Sequence, residues 1–246
     1  MDTLCVDLFC GLGGWAEGFL AGGYSVIGFD VERHDYGTGS YPGQLVLQDV
    51  LTLDGRQFKD AAVIVASPPC QFFSYTAMPW SRAKKLAGEV RNDPARLEKE
   101  LALFRACFRI AREAGVPLVV ENVCGAQAWV GPAKWHYGSF YLWGDVPALM
   151  PIAGMRLAFG RSFQSEFVKN TGGSWFKVAH NTTSGVANNP VSVRGGYRQI
   201  SGSTSSKSNS RKAISAQIAK IPFKLARHIA RCFKHADSTS LPTRYH

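Results

Sequence analysis

Two residues in this chain, a thiol and a carboxyl, stand where covalent chemistry can be done. Cys70 lies in Ser67-Pro68-Pro69-Cys70-Gln71, directly after the apolar run Ala61-Ala62-Val63-Ile64-Val65-Ala66. Two prolines stiffen a turn that follows a strand, which presents the sulfur at the rim of a sheet, a nucleophile's position. Glu121 ends a second apolar run, Pro117-Leu118-Val119-Val120-Glu121-Asn122, and therefore reaches the same rim. A buried cysteine or a satisfied glutamate is ordinary when taken singly. Their joint occurrence at one rim is hard to explain by packing.

A third feature is a glycine turn. Thr3-Leu4-Cys5-Val6-Asp7-Leu8-Phe9 is an apolar run that enters Cys10-Gly11-Leu12-Gly13-Gly14 and then the helical pattern Trp15-Ala16-Glu17-Gly18-Phe19-Leu20. Strand, glycine turn and helix together let backbone N–H groups approach a ligand. The next apolar run ends at Asp30, an acid placed to accept from ribose hydroxyls, and Asp49 in Leu47-Gln48-Asp49-Val50 can take an adenine amino group. The glycines alone are weak evidence, but with both acids they favour an adenosine-containing cofactor.

The elements that must hold these residues alternate. Asp93-Pro94 reads as an N-cap followed by proline at the first helical position, Leu97, Leu101, Phe104, Phe108 and Ala111 follow helical spacing, and Gly115 ends that helix. Strands alternating with helices predict an α/β, mainly parallel sheet that binds ligands at the carboxyl ends of its strands. From about residue 160 to 212 the composition turns to Ser, Thr, Asn and Gly with scattered aromatics, and residues 201–210 are of low complexity. A last helix is expected from Pro222, with Leu225, Ile229 and Cys232/Phe233 on one face.

At 246 residues the chain can build a sizeable core without metal or disulfide staples. No uncharged apolar run reaches the length of a membrane span, and no secretion signal is visible at the N-terminus. The six cysteines show no zinc-ligand spacing and read as reduced thiols in a cytoplasmic protein with no metal site. The net charge of +10 is unevenly spread. Residues 1–150 carry 13 Lys/Arg against 16 Asp/Glu, whereas residues 151–246 carry 15 against 2. Such asymmetry points to a polyanionic partner for the C-terminal part, because Lys and Arg release counterions condensed on nucleic-acid phosphates.

Asp7-Leu8-Phe9-Cys10-Gly11-Leu12-Gly13-Gly14, Pro68-Pro69-Cys70-Gln71-Phe72-Phe73-Ser74 and Glu121-Asn122-Val123 stand in the order and spacing of the cytosine-5 DNA methyltransferase family, which this chain resembles over residues 3–124 and again at the final helix. The resemblance implies a Rossmann-like methyltransferase fold with S-adenosyl-L-methionine as cofactor. It implies Cys70 as the nucleophile on cytosine carbon 6, Glu121 as the partner of N3, and Gln71 and Asn122 beside them in the catalytic set. Phe9 would flank the adenine, backbone around Gly11 and Gly13 would hold the methionine end, and Asp30 would bind ribose. Val31, Asp49 and Pro69 complete that cofactor set. Double-stranded DNA is the implied substrate of a monomeric enzyme in a bacterial or phage-infected cell, with Arg82, Lys84, Lys85, Arg194 and Arg198 on its backbone and residues 75–91 as a loop closing over it.

Three departures from the family pattern carry further expectations. The glutamine-arginine-arginine strand motif is absent, residues 135–151 standing in its place, so phosphate contacts fall to Arg156, Arg161, Arg194 or Arg198. The recognition segment is short and polar, which implies short or relaxed specificity. Ala219-Lys220-Ile221-Pro222 falls where the family has glycine-asparagine-serine-valine. An ammonium beside a sulfonium is repulsive unless an anion intervenes, so Lys220 raises carboxy-S-adenosyl-L-methionine as an alternative donor, leaving 5-carboxymethylcytosine. The same residues are also compatible with an RNA cytosine-5 methyltransferase or with a nucleic-acid-binding module without turnover. The expected domains are a catalytic core over residues 1–155, a recognition region over 156–212, a C-terminal helix over 213–236 packing back on the core, and a disordered tail over 237–246.

Overall fold

The computed structural model describes residues 3–35, 40–74, 80–148, 150, 216, 217 and 219–236. By contacts the chain divides into two units, one of residues 1–33, 41–152 and 221–246, the other of residues 34–40 and 153–220. The seven strands and five helices that follow all belong to the first.

Its strands are β1 (Leu4–Leu8), β2 (Ser25–Asp30), β3 (Gln44–Leu47), β4 (Val63–Ala66), β5 (Leu118–Asn122), β6 (Trp135–Tyr137) and β7 (Phe140–Gly144). They form one seven-stranded sheet in the order β3-β2-β1-β4-β5-β7-β6. The first five are parallel, and β7 runs antiparallel to β5 and β6. This is the mainly parallel α/β sheet that the sequence and its resemblance imply. Chain order reverses between β1 and β4, and such a switch point opens a crevice at the strands' carboxyl ends.

The helices are α1 (Gly14–Leu20), α2 (Trp80–Asn92), α3 (Pro94–Ala114), α4 (Gln127–Val130) and α5 (Phe223–Ala236). The ends of α3 are those its sequence requires. The Asp93 side chain accepts from the Ala95 N–H, and the Gly115 N–H returns to the Ala111 carbonyl at a φ of 70°. On one side of the sheet Val6, Leu8, Ile64, Ala66, Leu118 and Val120 pack with Leu101, Phe104, Cys107 and Ile110 of α3. Of residues 75–91, expected to form a closing loop, 75–79 lie outside the described residues and 80–91 are helical instead. Their Arg, Lys, Ala, Leu and Glu content favours a helix, Leu86 and Val90 rest on the core, and the Arg96–Glu89 ion pair ties α2 to the first turn of α3.

α1 and α5 meet along a ladder of glycines. A Cβ on Gly14 would stand 2.5 Å from the Ile221 nitrogen, one on Gly18 2.3 Å from the Ala226 Cβ, and one on Gly22 3.0 Å from the Ala230 Cβ. Only hydrogen at these positions lets the backbones approach so closely. The helices consequently run side by side in the same direction, with Ile221 by the glycine turn and Ala230 by Gly22. Leu225, Ala226, Ile229 and Ala230 are fully buried, and Phe233 is 8% exposed.

Candidate active site

The site grows from the carboxyl ends of β1, β2, β4 and β5, which the parallel registers Leu8↔Phe29, Leu8↔Ala66 and Ala66↔Val120 bring level. After β1 the chain turns sharply. Phe9 adopts a φ of 56°, a left-handed conformation rare for a bulky residue, and Gly13 caps α1 at a φ of 74°. Among the described residues a Cβ at Gly11 would meet nothing within 4 Å, so they leave room for a ligand to approach the turn's backbone.

Asp30, at the end of β2, is 7% exposed and braces that turn. Its Oδ2 accepts from the Gly11 N–H at 3.0 Å and its Oδ1 from the Val31 N–H at 2.8 Å. Oδ1 also accepts from the Glu32 N–H at 3.4 Å. Val31, beside it, is 67% exposed. Asp49 lies past the end of β3 and caps a short 3-10 turn by accepting from the Leu51 N–H at 2.9 Å.

Beneath the turn is a polar group that the motif reading passed over. Asp7 is fully buried, its Oδ2 accepts from the Tyr41 hydroxyl at 3.0 Å, and its Oδ1 has no hydrogen-bond partner among the described residues. Burial holds its carboxyl well above the usual range; the hydrogen bonds from Tyr41 and from the Ala16 main chain oppose this, and the nearby Asp30 charge adds to it. Tyr41 fits because Gly28 has no side chain: a Cβ there would meet the Tyr41 hydroxyl at 2.5 Å and the Cys10 sulfur at 2.8 Å. Burial likewise pushes the pKa values of the Cys10 thiol and the Tyr41 phenol far above their usual ranges, so both remain protonated. The signal in the sequence was a lone glycine inside β2, which often marks a close approach of another group.

The loop carrying Cys70 is fixed at several points. The Ser67 N–H donates to the Leu8 carbonyl, and the Ser67 hydroxyl accepts from the Trp15 indole N–H at 3.0 Å, linking the loop to α1. The Asn122 side-chain amide donates to the Pro68 carbonyl at 2.9 Å, while its Oδ1 accepts from the Val123 N–H at 2.9 Å. Ser74 donates back to the Cys70 carbonyl at 2.8 Å, and Phe72 and Phe73 are buried beneath. Cys70 is half-buried, Pro69 and Gln71 are exposed, and Glu121 is 6% exposed next to Asn122. Asn122 is 1% exposed, with both polar ends of its amide committed to backbone. It ties the strand end that bears Glu121 to the loop that bears Cys70. All six cysteines are free thiols.

Sequence reading also passed over Trp129 of α4, whose ring centre lies 5.7 Å from that of Phe72 and which is 40% exposed. In place of the missing arginine motif, β6 and β7 make a tight hairpin whose turn, Gly138-Ser139, has a φ of 61° at the glycine. It sets Tyr141 opposite Asn122, with His136 stacked on Tyr141 at 4.9 Å. Lys84 and Lys85 are exposed on α2, which also carries Arg82. In the second unit, the Lys220 N–H donates to the Gln217 carbonyl. Arg156, Arg161, Arg194 and Arg198, with the expected recognition region and tail, lie outside the described residues.

Among solved structures, the chain is similar to a DNA modification methyltransferase encoded within an E. coli prophage, at 22% identity and a TM-score of 0.35, covering 53% of this chain and 35% of that one. It is also similar to the S. pombe Dnmt2 methyltransferase (16%, 0.33, covering 52% and 36%) and to the Entamoeba histolytica methyltransferase EhMeth (13%, 0.37, covering 62% and 56%). It thus spans roughly a third to a half of the length of these structures. No curated protein sequence matches it. A family model does match, that of the C-5 cytosine-specific DNA methylases, over residues 4–126. That stretch is half of the chain and runs from β1 through the glycine turn, the Cys70 loop and the Glu121 strand end, so the chain belongs to the C-5 cytosine-specific DNA methylase family.

Proposed function

We propose that this protein transfers a one-carbon-derived group from an S-adenosylmethionine-type donor to carbon 5 of cytosine in double-stranded DNA, through a covalent adduct on Cys70. The observation that carries the reading is the Asn122–Pro68 hydrogen bond, which holds the Glu121 strand end and the Cys70 loop in one fixed frame. The donor's residues fit as well: an open glycine turn and a braced Asp30 meet at the switch point. Phe9, Gly11, Gly13, Asp30, Val31, Asp49 and Pro69 would hold the donor, which supplies an electrophilic carbon on a sulfonium.

Cytosine is too weak a nucleophile at carbon 5 to react unaided. In the proposed cycle the Cys70 thiolate adds to carbon 6 of the ring, and Glu121 hydrogen-bonds or protonates N3, so that electron density collects at carbon 5. After substitution there, loss of the carbon-5 proton expels Cys70. The base must leave the duplex to reach the sulfur, with Gln71 and Ser74 shaping its pocket and Arg82, Lys84 and Lys85 near the backbone. The test is a duplex carrying 5-fluorocytosine, from which that proton cannot be lost. A denaturation-resistant adduct that disappears in Cys70→Ala is expected. Normal DNA modification by Cys70→Ala would refute the mechanism, and adducts on RNA alone would move the substrate to RNA.

A second reading concerns the donor. Lys220 stands in the stretch Ala219-Lys220-Ile221-Pro222, where the family has glycine-asparagine-serine-valine. An ammonium in that stretch disfavours a sulfonium and favours a donor that also bears a carboxylate. Mass spectrometry of the product nucleosides with each donor tests it. 5-Carboxymethylcytosine from the carboxylated donor, lost in Lys220→Asn, supports the reading. Efficient methylation with no carboxymethyl product sinks it.

A further inference from the structure

We infer that the outward face of α5 is a second binding surface for duplex DNA, one that grips the phosphate backbone away from the site of chemistry. The inference rests on the proposed DNA substrate and adds a contact that none of the residues assigned above supplies.

α5 is amphipathic in an unusual sense. Its apolar residues Leu225, Ala226, Ile229, Ala230 and Phe233 are all buried. Its opposite face carries Lys224, Arg227, Arg231 and Lys234, all exposed and spaced 3, 4 and 3 residues apart, so they form one continuous row. The helix itself contains no Asp or Glu; α1 beside it carries Glu17, and both Glu17 and Lys224 already make an interaction, which leaves the row with an excess of positive charge. At 1.5 Å per residue the row is about 15 Å long, a length over which one DNA strand offers about four phosphates.

A row of cations is commonly just a solvated surface. Three features set this one apart. The glycine ladder locks the helix to α1 backbone to backbone, so the charges project from a rigid support and lose little freedom on binding. Arg227 is held over the Phe223 ring, its guanidinium carbon 6.0 Å from the ring centre, and Lys234 donates to the Gly22 carbonyl at 2.8 Å. The apolar face is sequestered, which removes the surface that a basic amphipathic helix would need to enter a lipid bilayer. A polyanion with regularly spaced charge is what remains complementary to the row.

The experiment measures binding of the full-length protein to a labelled 30-base-pair duplex made only of A·T pairs, without donor, across a salt series. With no cytosine present, the result does not depend on turnover. Changing Lys224, Arg227 and Arg231 together to Glu, and in a second variant to Ala, is expected to weaken binding at least tenfold at about 0.1 M salt. The slope of log affinity against log salt should flatten by about 2–3, near 0.9 for each phosphate no longer neutralised. The same three charge reversals on α3, at the exposed Lys99, Arg105 and Arg112, should change the slope little. Melting curves of both α5 variants establish that they fold. An unchanged slope, an equal loss in the α3 variant, or binding confined to duplex RNA or to phosphatidylserine vesicles would overturn the inference. Loss of 5-fluorocytosine adducts with the salt effect intact would instead remove the proposed function and leave the surface standing.

Discussion

Asn122 is the residue on which the site's geometry turns, and its chemistry predicts how it fails. Replacing it by Ala removes the donor to the Pro68 carbonyl, a buried bond whose loss leaves an unsatisfied acceptor at a cost of about 1–3 kcal/mol. The expected signature is a lower melting temperature together with slow adduct formation on 5-fluorocytosine DNA, with donor affinity nearly unchanged. A variant that kept a normal adduct rate would show that the Cys70 loop does not need this tether. Asp7 makes a prediction of a different kind. Its carboxyl is raised well above 3.8 by burial, so the folded state holds the proton more tightly than the unfolded chain does. Its favourable contribution is therefore complete below about pH 4 and is lost as pH rises through the raised value. Asp54, held down at about 2 by Arg56, acts in the opposite sense and only below about pH 4, outside that window. Melting temperature measured from pH 4.5 upward should fall with pH in the parent protein and fall less in Asp7→Asn, which keeps an acceptor for Tyr41; identical slopes would remove Asp7 as the cause.

At the scale of elements, two glycines in helices make opposite predictions. A methyl on Gly18 would lie 2.3 Å from the Ala226 Cβ and 2.5 Å from the Arg227 nitrogen, and backbone cannot step aside as a side chain can. Gly18→Ala should cost at least about 2 kcal/mol, in the upper range for overpacking. Gly88 in α2 has nothing within 4 Å of its would-be Cβ, and Gly88→Ala should stabilise by about 0.5–1 kcal/mol through helix propensity. Denaturant unfolding of both variants checks the pair. These cases also mark where sequence could be read and where it could not. α3 was legible at both ends because Asp93, Pro94 and Gly115 act locally. β1, β4 and β5 were legible because a strand buried on both faces is a continuous apolar run. β3 is half exposed and carries no such run, and α2 is polar enough to pass for a loop. Cys70, Glu121 and the glycine turn stood out by type and position. Their supports, Tyr41 on Asp7 and Trp15 on Ser67, join residues 34 and 52 positions apart, a pairing that only the fold creates.

The whole molecule is closed by its far end. The family match stops at residue 126, yet the helix that covers α1 begins at residue 223, so the sheet's glycine-turn side is completed by a segment from beyond the polar region. Ile221, Leu225, Ile229 and Phe233 each bury a large side chain there, at about 1.5–3 kcal/mol apiece before ordering costs. Together that is about 6–12 kcal/mol, comparable to the 5–15 kcal/mol by which a typical domain is stable at all. A chain ending at residue 152 would expose Gly14 and Gly18 of α1 and Gly22 just past its end, and would leave the turn proposed to hold the donor without its backing. Such a truncation is expected to lose cooperative unfolding and donor binding, both measurable by calorimetry. A peptide of residues 216–236 added in trans should restore them in a saturable way, because the ladder is a preformed complement and needs no connecting chain. If the truncated protein melts as sharply as the parent and binds donor equally well, then α5 is an appendage. In that event the glycines of α1 would need another reason to be there.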